Sequence, residues 1–374
     1  METGGWAGHV VNPRVDALLA MLVEGVTARR WCTGFQVCVI VGGAVIVDEA
    51  YGRDGLGRDV VQSSLFPIYC AGKPLTALTI GRLVDDGELS FDDVLGDVID
   101  RPLHPGLQPL RLEQLLAHTA GLWAYRPEVY LASDAPARDR LVRSSVPQPQ
   151  DPRFGIYSEF VSWELLRYAI EDVTCSEFET VLNRQILKPL HLDEQVAFTM
   201  VSKDPRLDRL RINVDLRRQK ATPLVWEQHP ANLADLRVAG GAHASMNGLA
   251  HLYAHLLDIE AGHERFGLTR RTLLQMTAAA TAAAHDEVLG RVCRHARGFM
   301  PDLTHHCHDS RHSERSFGHS GLHGMTFAAA DPATGLAYAV HLNGATAFDS
   351  DVDPDRSPQE RRRLISGRIL DLVA

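Results

Sequence analysis

The sequence predicts an α/β protein of the α+β kind, with a sheet assembled from both ends of the chain and a mainly helical segment between them. Two β-rich runs within Phe35 to Val47 meet at Gly42-Gly43, a hairpin signal. Near the other end, Met325 to Ala330 and Leu336 to Leu342 are β-runs separated by Asp331-Pro332-Ala333-Thr334-Gly335, a turn sequence. Between Phe91 and Leu236 the pattern is mostly helical, with loops at Pro102 to Pro109, Pro127 to Pro136 and Pro147 to Pro152.

In chain order, Pro13 to Glu24 repeats apolar positions at helical spacing and opens the chain with a helix before the hairpin. Leu75 to Asp86 is a strongly apolar helix ending at Gly87, where a left-handed residue closes the last turn. Met246 to Leu257 and Arg362 to Val373 read as further helices, and so does the alanine run Ala278 to Ala284. This organisation divides the chain into a sheet domain, residues 1–92 and 241–374, and an inserted helical lobe, residues 93–240. Internal repeats and low-complexity linkers do not interrupt it.

Composition narrows the function classes. The 374 residues are 45% hydrophobic and 23% charged, as in a globular chain able to bury a large core. With net charge -9 and no long Lys/Arg run, a nucleic-acid surface has no support, and small molecules or proteins are the expected partners. Met1 to Val11 has neither the basic stretch nor the apolar core of an export signal. The apolar stretch Val37 to Val47 is broken by Gly42-Gly43 and falls short of the roughly 20 residues a membrane helix needs. Cys32, Cys38, Cys70, Cys175, Cys293 and Cys307 lack paired spacing and suit reduced thiols, so a cytoplasmic location is expected.

The chemistry centres on Cys70-Ala71-Gly72-Lys73-Pro74. Proline is tolerated in the first turn of a helix, so Pro74 sets the helix start close to Cys70. Residues three apart share a helix face, which puts Lys73 beside the thiol, where a cation and the helix end both favour thiolate. The bland alternative is a small buried hydrophobe, which is what most free cysteines are.

Further motifs decide between them. Leu65 to Leu78, containing Cys70-Ala71-Gly72-Lys73, resembles the S-x-x-K segment of the serine β-lactamase and penicillin-binding-protein superfamily, with cysteine where serine stands. Leu112 to Leu122 looks like that family's L-L-x-H-T-S-G-L stretch, and Tyr157-Ser158-Glu159 like its Y-S-N motif with glutamate for asparagine. Gly318-His319-Ser320-Gly321 is similar to the G-H-x-G variant of its K-T-G motif, and Gly240-Gly241 through Ser245 resembles its glycine-rich segment before a helix. Five such motifs in order carry an argument that a single tripeptide does not.

The resemblance implies a β-lactamase/transpeptidase-like fold: an antiparallel sheet flanked by helices, an inserted helical lobe, and the active site in the cleft between them. It implies Cys70 as nucleophile, Lys73 as its proton partner and Tyr157 as proton relay. It places His319 and Gly321 along the strand side, and an oxyanion hole at the backbone N–H groups of Cys70 and Leu322. No cofactor or metal is implied.

The departures from the family pattern bear on the reaction. A thiol, with a reference pKa near ~8.5, needs less help from a base than a hydroxyl, and its acyl adduct is a thioester. That favours moving acyl groups from a coenzyme A or acyl-carrier-protein thioester to an amine or hydroxyl acceptor, as relatives in the esterase and acyltransferase branch of secondary metabolism do. Water as acceptor, giving a thioesterase, esterase or amide hydrolase, is one alternative. The other is a silent binding protein, against which the retained Lys73 and Tyr157 argue. Glu159 is expected either to recognise an amine acceptor or to pair with Lys73, or else to face water at the cleft edge. His118 is expected to make a structural hydrogen bond. His305-His306-Cys307-His308 with His312 reads as a solvated loop near the cleft mouth, since adjacent ligands rarely converge on one metal ion.

Overall fold

A computed structural model describes residues 12–125, 134–217, 220–346 and 357–374. Its main sheet has six strands, in the spatial order Met300–Pro301, Phe317–Ser320, Thr326–Asp331, Leu336–Leu342, Gly34–Val41 and Ala44–Gly52. Every neighbouring pair is antiparallel. The join between the chain ends runs between the fourth and fifth strands of this order, where Phe35 pairs with Leu342 and Val41 with Leu336. Gly42 and Gly43 turn the first hairpin with φ of 56° and 81°, the left-handed pair that suits a two-residue turn.

Side chains alternate across the sheet and give each face its own core. Val37, Val39, Phe327, Tyr338 and Val340 pack against two helices, Pro13–Thr27 and Pro358–Leu370. Cys38, Ile40, Ala328, Ala330, Ala337 and Ala339 face the opposite way, toward the helices Met246–Glu260 and Lys73–Asp85. The four alanines on that face leave room for helix backbones to approach closely. The same cluster continues without a break into Leu112–Leu116, Val161–Thr174 and Phe178–Leu182, in the helical middle of the chain. Among the described residues, no helix is long and apolar enough to cross a membrane.

The Lys73–Asp85 helix is buried on nearly every side, and Gly87 follows it with φ of 76°. Its position is set by a close approach: a Cβ on Gly72 would lie 2.5 Å from the Ala242 side chain. A small three-stranded sheet of Phe66–Pro67, His243–Ala244 and Val196–Ala197 leads the chain into it.

Two expectations are corrected. The alanine run is not helical: the helix Arg270–Thr277 stops at Ala278, and Ala284 begins a strand. Ala280 and Thr281 donate their N–H groups to His295 O and Ala282 to Arg153 O, so tertiary partners override the helix propensity of the alanines. The histidine run is not a solvated loop either. Leu303–His306 forms a turn, and His306, His308 and His312 are buried, with only His305 partly exposed. His308 Nδ1 lies 2.8 Å and His312 Nε2 3.1 Å from the Tyr338 hydroxyl, which pulls the run under the sheet.

The terminal helix starts before Arg362, at Pro358, because the Ser357 side chain caps it by accepting from Glu360 N. Of the loop expected at Pro127 to Pro136, residues 127–133 lie outside the described residues; Asp134 caps a helix Ala135–Arg143.

Tyr338→Phe should leave His308 Nδ1 and His312 Nε2 without their shared hydroxyl, while His312 Nδ1 keeps Asp331 at 3.4 Å. Unfolding free energy is expected to fall by about 2 kcal/mol, read by denaturant titration; an unchanged midpoint would count against this packing.

Candidate active site

Cys70 lies in a short turn, Tyr69–Gly72, that runs directly into the Lys73–Asp85 helix with Pro74 in its first turn. The thiol is partly exposed and Lys73 is fully buried beneath it. Lys73 Nζ is 3.1 Å from Cys70 Sγ and donates to Tyr157 Oη at 2.8 Å. The ammonium also faces two aromatic rings, with centroids of Tyr157 and Trp163 at 4.7 and 5.5 Å. Two side chains three residues apart and a third from a distant part of the chain thus share one hydrogen-bonded group.

Tyr157 is held from behind by its own backbone. Its N–H donates to Asp286 Oδ2 at 2.8 Å, the next N–H, of Ser158, donates to His118 Nδ1 at 3.0 Å, and Trp163 Nε1 donates to Ser158 O. Burial, reinforced by the neighbouring Cys70, Glu159 and Asp286, holds the Tyr157 phenol well above its ordinary range. It is therefore a neutral group that keeps its proton at ordinary pH.

His118 has φ of 60° and sits with its ring 4.6 Å from that of Tyr157. Burial, with positive charge at His295 and Lys73, keeps it neutral. Its hydrogen bond to Ser158 is the structural role expected of it.

On the strand side, His319 is buried with its ring 6.3 Å from Tyr157. Its Nδ1 must carry the hydrogen, because its partner at 3.0 Å is the Ser320 carbonyl. Burial and the Lys73 charge bring its pKa down to about 3, so Nε2 remains an acceptor. Gly321 N donates to Thr326 O at 2.7 Å, and a Cβ at Gly321 would lie 2.5 Å from Ile68 O. The glycine motif and the turn that carries Cys70 are therefore in contact, and no larger residue fits between them. Leu322 starts the turn Leu322–Gly324 with a side chain 39% exposed. Glu159 is half-buried, close enough to Tyr157 for its charge to act on the phenol.

A family model described as Beta-lactamase matches residues 15–359. The chain belongs to the β-lactamase family. Solved structures agree on the fold of this β-lactamase-family chain. A penicillin-binding-protein homologue from Caulobacter crescentus aligns at TM-score 0.77 and 22% identity, over 94% of this chain and 97% of its own. EstCE1, described as a hydrolase with promiscuous acyltransferase activity, aligns at 0.74 and 19%, over 95% and 99%. A family VIII carboxylesterase aligns at 0.76 and 17%, over 97% and 99%. None of the curated protein sequences matches the chain.

Two supports of this β-lactamase-family site were not legible as motifs. Asp286 follows an alanine run and His295 lies in an arginine-rich stretch, with no spacing that ties either to Tyr157. They meet at 2.9 Å, with the Cys293 sulfur 3.7 Å from His295. These are metal-ligand types within 4.8 Å of one another. All four acceptor positions of the carboxylate are nevertheless taken: Oδ2 by Tyr157 N and His295, Oδ1 by Val288 N and Leu289 N. Burial alone would raise the Asp286 carboxyl, but the hydrogen bonds from His295, Leu289 and Tyr157 outweigh it and hold it below its usual value. The trio braces the Tyr157 segment.

Because the folded-state pKa of Asp286 is depressed, its stabilisation is present above the ordinary carboxylate value and lost as pH falls through the range below 3.8. Asp286→Asn should lower stability at neutral pH and flatten the acid side of the stability-pH curve; an identical acid slope in the variant would contradict this. Cys70 should be alkylated faster than Cys175, although Cys175 is the more exposed, and Lys73→Ala should slow Cys70 alone. Peptide mapping after brief iodoacetamide treatment reads both rates, and faster labelling at Cys175 would remove the special role of Lys73.

Proposed function

We propose that this chain is an acyltransferase that works through a covalent acyl-cysteine on Cys70. The observation that carries the reading is the Cys70–Lys73–Tyr157 group, with Lys73 Nζ 3.1 Å from the sulfur and 2.8 Å from the phenol oxygen. In the reaction, Cys70 Sγ attacks the carbonyl carbon of an acyl thioester and forms a carbon–sulfur bond. The developing oxyanion is received by the N–H groups of Cys70 and Leu322. Collapse breaks the bond to the donor sulfur, and the proton released by Cys70 reaches that leaving thiolate through Lys73 and Tyr157. An amine or hydroxyl then attacks the acyl-cysteine, gives its proton to the same pair, and regenerates the thiol.

The donor in this reading is a coenzyme A or acyl-carrier-protein thioester, and the acceptor a small molecule of secondary metabolism. Tyr157 comes from the helical portion, residues 93–240, and Cys70 from the portion formed by 1–92 and 241–374, so the reaction would sit where they meet. Glu159, half-buried beside Tyr157, is assigned to recognition of a cationic acceptor. Water as acceptor is the second reading. The carboxylesterase and the hydrolase with acyltransferase activity among the structural neighbours favour it.

Acyl-coenzyme A or acyl-carrier protein should load Cys70 with the mass of the acyl group, and Cys70→Ala should abolish loading. Tyr157→Phe should slow turnover roughly 10²- to 10⁴-fold while changing KM less, since proton transfer acts in the transition state. Product analysis by mass spectrometry separates transfer from hydrolysis. Full activity in Cys70→Ala, or wild-type protein that never gains acyl mass from any thioester, would defeat the reading.

A further inference from the structure

The residue before the nucleophile is tied to a buried carboxyl that the reaction described above does not use. Tyr69 adopts φ of 50°, an uncommon conformation for a bulky residue, and is 9% exposed. Its hydroxyl donates to Glu227 Oε1, within the turn Val225–Gln228. Glu227 is 4% exposed and takes two more donors, Asn213 N on Oε2 at 2.6 Å and Asn213 Nδ2 on Oε1 at 3.0 Å. From Asn213 the chain of hydrogen bonds continues: its Oδ1 accepts from His341 Nε2 at 2.9 Å, and His341 Nδ1 accepts from the Thr326 hydroxyl at 2.8 Å. Burial brings the His341 pKa down to about 3, so the ring carries one hydrogen and the direction of the chain is set. Thr326 O in turn receives Gly321 N at 2.7 Å.

One connected set of buried groups therefore ends at Tyr69–Cys70 on one side and at Gly321–Leu322 on the other. We propose that Glu227 is a positioning residue for acyl transfer: through Tyr69 and through Asn213, His341 and Thr326 it holds together the two backbone segments whose N–H groups receive the oxyanion. This rests on the acyl-cysteine reading above.

The ionised carboxylate accepts all three donors, whereas a protonated one gives up an acceptor position. Burial raises the Glu227 pKa to about 7, against hydrogen bonds from Tyr69 and Asn213 that lower it. The titratable and charged groups around it are Tyr69, held protonated well above its ordinary range by burial and by Glu227, and neutral His341. Beyond them stands Asp54, paired with Arg58, whose Oδ2 receives the amide of Ile212 next to Asn213. The network is therefore intact above about pH 7 and loosened below it.

The test compares wild type, Glu227→Gln, Tyr69→Phe and the double variant as full chains, using p-nitrophenyl acetate and following nitrophenolate release together with acetyl mass on Cys70. Each single variant should slow acylation roughly 10- to 100-fold, with the loss in kcat and not in KM. The double variant should be no slower than the slower single, because both cut the same connection. Alkylation of Cys70 by iodoacetamide, which forms no oxyanion, should stay within about two-fold of wild type. The ratio of wild-type to Glu227→Gln acylation rates should rise as pH increases through about 7. Wild-type acylation rates in both single variants, a flat ratio across pH, or equal losses in acylation and alkylation would each overturn the proposal. If the nitrophenyl ester acylates Cys70 with this dependence on Glu227 while no thioester ever does, the positioning role stands and the thioester reading falls. If wild-type Cys70 takes no acetyl group at all, both fall.

Discussion

A fully buried ammonium governs this protein. An isolated charge removed from water is costly, so the Lys73 side chain has to be surrounded by groups that accept its hydrogens or face it with electron density. The Cys70 sulfur, the Tyr157 oxygen and the rings of Tyr157 and Trp163 meet that requirement. None of them is next to Lys73 by virtue of a single helix except Cys70; Tyr157 and Trp163 must be delivered by another part of the chain. The same positive charge limits its neighbours. Together with burial, it keeps His118 and His319 neutral, so the histidines that crowd the site serve as acceptors and spacers and add no further charge. A negative charge is supplied one layer away, at Asp286, and reaches the site through the backbone of Tyr157.

Local signals in the sequence carried a large share of the architecture because the turns are chemically explicit. Gly42-Gly43 and Gly87 all take the left-handed conformations that their places in the pattern demand. The strand Leu336–Leu342 has the bounds its hydrophobic run implies. The proximity of Cys70 and Lys73 was legible from spacing alone, and that of Tyr157 and His319 from family resemblance. What escaped was decided by partners far away in the chain. Ala278 to Ala284 has strong helix formers, yet its amides go to His295 and Arg153. The histidines after Leu303 look hydrophilic in one dimension, but Tyr338 and the sheet supply partners that make burial tolerable. Asp286 and Glu227 are ordinary acidic residues in sequence; only the fold turns one into an anchor for Tyr157 and the other into an anchor for Tyr69.

The two anchors differ in physical character. Asp286 is saturated by four donors and paired with His295, which favours its charged form despite burial. Glu227 has three donors, of which Tyr69 and Asn213 are both neutral, and burial prevails. One carboxylate is a permanent fixture across ordinary pH and the other changes state near neutrality. Each nevertheless meets the site in the same way, by gripping main chain or a flanking side chain and leaving the side chains of Cys70, Lys73 and Tyr157 untouched.

The antiparallel pairing of Phe35 with Leu342 has a consequence for biosynthesis. On the ribosome the hairpin Gly34–Gly52 emerges first, but the strand that completes its inner edge is made almost a whole chain later, at typical elongation rates tens of seconds afterwards. During that interval a strand destined for the interior of the sheet, and buried along most of its length, presents an open edge. Nascent chains of this protein are thus expected to depend on holding factors until Leu342 clears the exit tunnel. Premature termination before that point removes the middle of the sheet, so truncated products should be cleared as unfolded protein.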